Sequence, residues 1–140
     1  MPDVITASSP REPRLPKGKS DYEAVEQLNA LSSTEIEPLI PELLTWLQDV
    51  NWPIFSPVLD LLARHPRLLV EPVRRVLQGD DDAWIAYCVG NLVKDRLPRE
   101  QQISLKLELE RIANNPTDAE KEWEVQDDAQ EVLNVLETRA

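Results

Sequence analysis

The chain has 140 residues, 41% apolar and 29% charged, with three glycines, twelve prolines, one cysteine and a formal net charge of −11. That length suits one domain and suffices to bury a core. No apolar run nears the ~18 residues of a membrane span, the opening residues lack the apolar stretch of a secretory signal, and a lone Cys88 makes neither a disulfide framework nor a cysteine-rich metal site. A reduced, cytoplasmic setting is expected.

Charge is unevenly spread: residues 1–19 carry +2, residues 20–116 carry −7 and residues 117–140 carry −6. So acidic a surface repels phosphate backbones and anionic lipid, because both are held by Lys and Arg. A basic protein partner remains compatible with it. High negative charge is also an ordinary route to solubility.

In chain order, Pro2, Pro10, Pro13 and Pro16 remove N–H donors, and the intervening residues offer little to bury. Residues 1–19 therefore read as a disordered tail and 20–140 as a single domain. Order is expected from Ser20, whose spacing to Glu23 suits a capping box. A first helix covers about 21–31, with Ala24, Val25, Leu28 and Leu31 inward. Thr34 and Glu37 suggest the cap of a second helix, striped by Ile36, Leu39, Ile40, Leu43, Leu44 and Leu47. Pro38 fits its first turn, whereas Pro41 sits awkwardly for a continuous span. The third follows Asn51-Trp52-Pro53, buries Ile54, Val58, Leu61 and Leu62, and stops at Pro66. A fourth carries Leu69, Val73, Val76 and Leu77, with Gly79 just past its end. Asp80, Asp81 and Asp82 open a fifth, which turns Ile85, Val89, Leu92 and Val93 inward.

Pro98 opens a sixth helix. Residues 103–110 alternate apolar and polar like a half-buried strand, but no other window alternates to pair with them. Leu105, Leu109 and Ile112 also share a helical face, so a helix is expected. Thr117 and Glu120 cap a seventh, striped by Val125, Ala129, Val132, Leu133 and Leu136.

Internal repetition is the most informative pattern. Trp52, Phe55, Leu61, Arg64 and Pro66 recur 32 residues later as Trp84, Tyr87, Val93, Arg96 and Pro98. Helices two and three thus read as one copy of a hairpin, helices four and five as another, and the last two as a degenerate third. Stacked hairpins that share a core make an α-solenoid. Gly90 stands where the first copy has Val58, which suggests a close helix–helix approach.

The segment Leu43-Leu44-Thr45-Trp46-Leu47-Gln48-Asp49-Val50-Asn51-Trp52-Pro53 resembles the central motif of a small bacterial HEAT-like family, domain of unknown function 5071. Leu15-Pro16-Lys17 and the block from Leu109 to Thr117 are similar to its other recurrent segments. The resemblance spans about residues 15–135 and implies an all-α, α-α superhelix of HEAT-like hairpins. It implies no activity.

No catalytic constellation stands out. His65, the single histidine, lies at a helix end without a companion base or nucleophile in sequence. Cys88 reads as an inert buried thiol. No glycine-rich phosphate loop is present, and Asp80 to Asp82 lack the alternation and central glycine of a calcium loop. Neither a metal nor a cofactor is expected. Trp52 and Trp84 fall at equivalent places in the two copies, near Asp49 and Asp80–Asp82, while Arg64, Arg67, Arg96 and Arg99 gather at the opposite helix ends. Tryptophans in such places often pack the core, yet they are also enriched at binding hot spots.

The expectation is a monomeric, non-catalytic protein-interaction module. Its tentative binding residues are Asp49, Trp52, Asp80, Asp81, Asp82 and Trp84, and its partner is a basic protein, as for an immunity protein that neutralises a toxin. The alternatives are an enzyme using dispersed carboxylates and a HEAT-like nucleic-acid binder, the latter disfavoured by net charge.

Overall fold

The computed structural model describes residues 14–138, and every regular element among them is helical. Residues 1–13, most of the expected tail, lie outside the described part. Residues 14–19 pack onto the body. Pro16 is buried, the Arg14 guanidinium donates to Asp21, and the Ile54 N–H donates to the Lys19 carbonyl at 3.0 Å.

Helix α1 spans Tyr22–Leu28 and is capped by Asp21, one residue beyond the expected Ser20. Asp21 accepts from the N–H groups of Lys17 and Ala24, so one carboxylate closes the helix start and the turn before it. The second predicted helix is four short pieces: α2 (Ser33–Ile36), a tighter 3-10 turn over Glu37–Leu39, α3 (Ile40–Leu44) and another turn over Thr45–Leu47. Pro38 and Pro41 each sit at the start of a piece, where a missing N–H costs nothing. The capping box is Ser32 with Glu35, two residues before the expected one. Most of the apolar stripe survives these breaks: Ile36, Ile40, Leu43, Leu44 and Leu47 are buried.

Helix α4 (Phe55–Ala63) and α5 (Val70–Leu77) follow, joined by a 3-10 turn over Pro66–Leu68. Gly79 stands one residue past the α5 cap, but no glycine among the described residues takes a positive φ. Its Cβ space is instead narrowed by the Val76 carbonyl at 3.3 Å. Helix α6 (Asp82–Tyr87) runs into a wider π-helical segment, Cys88–Lys94. Helices α7 (Arg99–Ser104) and α8 (Lys106–Asn114) are separated at Leu105. The strand-like alternation resolves as two helical faces. Leu105, Leu109 and Ile112 are fully buried, whereas Ile103 is 48% and Leu107 77% exposed. Thr117 and Glu120 form their expected capping box on α9 (Asp118–Glu122), and α10 (Val125–Thr138) buries its whole predicted stripe.

The helices pack in two layers. In one, α1 lies on α4, α4 on the π segment, and the π segment on α10; in the other, α3 lies on α5. Between layers, α3 meets α4, α5 meets α6, and α8 meets α10. Apolar side chains from Val25 to Leu136 form one continuous cluster. Repeat-equivalent arginines make equivalent bonds, each back to the preceding helix of the layer: Arg64 to Asn29 at the end of α1, and Arg96 to Asp60 on α4.

Gly90 lies mid-way along the π segment. A Cβ there would come within 2.9 Å of the Asp128 carboxylate on α10, which also bonds Lys94 at 3.1 Å. The close approach expected from sequence is therefore to a polar side chain. Because that contact is the movable end of Asp128, Gly90→Ala is expected to change stability by less than about 1 kcal/mol, the clash being offset by the lower chain entropy of alanine. Thermal unfolding checks this, and a drop beyond about 5 °C would mean that α10 cannot yield.

Candidate functional site

Each connection from the second layer back to the first lies at one end of the hairpins, and the outgoing connections lie at the other. The first end holds the loop 48–53, the turn 78–81 and residues 115–117. It carries all six residues singled out from the sequence, and four of them make local contacts.

Asp49 accepts from the Asn51 N–H at 2.9 Å and so shapes its own turn. Trp52 is half-buried and meets Trp46 edge-on, with ring centroids 5.4 Å apart. Trp84 is also half-buried, and its Nε1–H donates to the Leu44 carbonyl at 2.9 Å, tying the second hairpin to the first. Asp81 caps α6 by accepting from the Trp84 N–H. Asp80 is exposed and Asp82 half-exposed. The two equivalent tryptophans make different contacts. The repeat stacks instead through Phe55 and Tyr87, 6.0 Å apart, and Tyr87 carries the contact on to Trp123 at 5.6 Å.

Trp123, which follows α9, ends this aromatic row. It is 45% exposed, sits between Glu122 and Glu124, and precedes a backbone turn in which Glu124 adopts φ 58°. A non-glycine residue in that region is uncommon. The turn lets α9 stop and α10 start in a new direction. Its sequence signal was faint, because neither glycine nor asparagine marks the turn.

Between the α5–α6 turn and the starts of α6 and α9 is an open hollow of about 550 Å³, lined by residues that include Asp80, Asp82, Arg111, Thr117 and Glu120. Arg111 is committed: its two guanidinium nitrogens donate to the two oxygens of Glu120 at 2.7 and 2.8 Å. Glu120 is itself 1% exposed. Burial alone pushes its carboxyl up, but Arg111 and the Thr117 N–H outweigh that and hold it below the usual range. With Arg111 neutralised, Asp80 and Asp82 give the hollow a negative rim. At the other end of this edge Lys17 and Lys19 are exposed near the Asn51–Pro53 turn, so the acidity centres on Asp80–Asp82 rather than on Asp49.

The remaining chemistry-bearing residues have structural settings. Burial pushes the Cys88 thiol up to about 12, with the Asp81 charge adding to it, which leaves it a thiol near neutrality. The hydrogen bond from Arg14 holds the Asp21 carboxyl well below the usual range. No group of three or more His, Cys, Asp or Glu among the described residues is arranged to hold a metal ion.

The family model for a domain of unknown function (DUF5071) matches residues 14–133, and the chain belongs to that family. The match begins at Arg14, the first of the described residues. No curated protein matches the sequence. None of the described helices is long and apolar enough to cross a membrane.

Proposed function

We propose that this protein is a non-catalytic, cytoplasmic interaction module that binds a basic protein through the edge carrying Asp80, Asp82, Trp84 and Trp123. The observation that carries the reading is the hollow beside α6. Its lining arginine is spent on Glu120, so the rim carboxylates are left to attract an incoming Lys or Arg. A half-exposed tryptophan nearby adds apolar area of the kind that dominates binding hot spots. The two-layer hairpin packing fits a HEAT-like solenoid, an architecture that presents extended binding surfaces. Neutralisation of a toxin is one form this binding takes, by analogy of size and charge alone.

The alternatives draw less support. A general acid needs a raised carboxyl pKa, whereas Asp21 and Glu120 are both shifted downward by arginines. Two of the arginines at the opposite end are engaged within the chain, Arg96 with Asp60 and Arg99 with the Leu136 carbonyl. That leaves few cations for a nucleic-acid backbone.

The test is a double charge reversal, Asp80→Lys with Asp82→Lys, which spares the capping role of Asp81. A partner isolated by affinity capture from native cytosol should associate about 10-fold more slowly with the variant, and with a flatter salt dependence. Stopped-flow mixing measures both. Unchanged rates at low salt would move the site off this edge.

A further inference from the structure

At the opposite end of the hairpins, Ser33, Arg64, His65, Pro66, Arg67 and Leu68 line a second hollow of about 380 Å³. The chain carries 26 acidic against 15 basic residues, yet none of these lining residues is a carboxylate. Two guanidiniums, an imidazole and a hydroxyl share a small concave space. We propose that this hollow is a binding site for a phosphate group, held by Arg64, Arg67, His65 and Ser33. It is independent of the acidic edge.

The frame is set by the chain. Arg64 ends α4, and its Nη1 donates to Asn29 Oδ1 at 3.0 Å, which fixes the guanidinium and leaves its other nitrogen free to donate. Pro66 starts the following turn with a restricted φ, and the Leu68 N–H closes that turn on the His65 carbonyl at 3.0 Å. His65 is half-buried between these two elements, and its Nδ1 lies 3.0 Å from Ser33 Oγ on α2. Arg67 is exposed at the rim, with no ion-pair partner among the described residues. The nearby carboxylates lie outside the hollow. Glu35 on α2 accepts from the Ser32 N–H, and Glu37, Glu71 and Glu100 line the neighbouring groove that Arg67 also borders.

The Ser33–His65 pair makes the site responsive. Burial and the nearby Arg64 charge both lower the His65 pKa, so the ring is neutral near pH 7, and in its Nε2–H tautomer Nδ1 accepts the Ser33 hydroxyl hydrogen. A bound dianion favours the imidazolium, which takes its added proton from solvent. Nδ1–H then donates to Ser33 Oγ, and the hydroxyl hydrogen is released towards the ligand. Two arginines supply the forked donors that suit phosphate oxygens. The phosphate comes either as the free ion or as a monoester on another molecule.

Backbone and His65 imidazole NMR signals of the full chain, followed during titration, test the proposal. Inorganic phosphate and a phosphoserine peptide are the probes, with sodium chloride at matched ionic strength as the control. Saturable shifts confined to residues near 33 and 64–68, together with a rise in the His65 pKa, are expected from at least one probe. Saturation by both identifies the free ion as sufficient, and saturation by the peptide alone assigns the site to monoesters. Arg67→Ala, an exposed change that leaves the fold intact, should weaken the binding about 10-fold or more, the loss of a charge-assisted contact. Drift that is the same in phosphate, peptide and chloride would overturn the site, as would binding that Arg67→Ala does not weaken.

Discussion

Glu120→Ala is expected to lower the stability of this protein by about 2–4 kcal/mol. The carboxylate is almost wholly buried and serves two partners at once, the forked guanidinium of Arg111 on α8 and the Thr117 N–H at the start of α9. Removing it strands the Arg111 guanidinium beside the Leu77 carbonyl of α5, which accepts only a long bond of 3.4 Å. A fully buried pair broken in this way costs about 3–5 kcal/mol. Here the arginine side chain is 38% exposed, so water recovers part of the loss, while the broken capping box adds to it. The thermal midpoint should fall by about 6–12 °C. Glu120→Gln keeps an acceptor for Thr117 and should lose roughly half as much. Equal losses for the two variants would show that the charge, not the backbone cap, is being measured.

The same residue fixes a pH dependence. Because Glu120 is held below its unfolded value of about 4.3, its contribution is fully present above that pH. It is lost as pH falls through the folded value. Asp21 acts in the same sense through Arg14. The stability gap between the native chain and Glu120→Gln should therefore close on acidification below about pH 4. Urea unfolding at a series of pH values follows it, and a gap that stays constant would exclude the ion pair as its source.

Much of the fold is legible in the sequence because helical periodicity survives interruption. Ile36, Ile40, Leu43, Leu44 and Leu47 lie on one face whether the backbone between them is one helix or four short pieces. Boundaries are less legible. Ser32 and Glu35 have the same spacing as Thr34 and Glu37, and only tertiary context selects the first pair. The same holds for Asp21 over Ser20, since the choice depends on Arg14 and Lys17 folding back onto α1. The π segment carries no local signature beyond Gly90, whose neighbour Asp128 comes from α10. At the candidate edge, residue type and spacing located Asp80–Asp82 at a shared end. They did not reveal that Arg111 is neutralised by Glu120, a pairing between two helices. The Ser33–His65 contact likewise joins residues 32 apart. The single histidine stands out in sequence, but nothing there marks Ser33 as its partner.

Val58→Gly is expected to be the other costly change, at about 3–4 kcal/mol, and it tests how far the two hairpins have diverged. Val58 and Gly90 occupy the same place in the 32-residue repeat. Val58 is fully buried in α4, where deleting its side chain forfeits the transfer energy of three carbons and leaves a cavity. Glycine within the helix costs about a further 0.5–1 kcal/mol in chain entropy. The reciprocal change does not restore a repeat. In Gly90→Val the first added carbon already meets Asp128 at 2.9 Å, and the two methyls beyond it would displace the Lys94–Asp128 contact. Overpacking of this kind costs about 1–3 kcal/mol. If the hairpins were interchangeable, Gly90→Val would stabilise the chain and the double variant would return to the native midpoint. The expected result is destabilisation by both single changes and an approximately additive loss in the double variant, read from urea unfolding midpoints. Recovery in the double variant would mean that the space vacated at Val58 is transmitted through the α4–π-segment interface to Gly90.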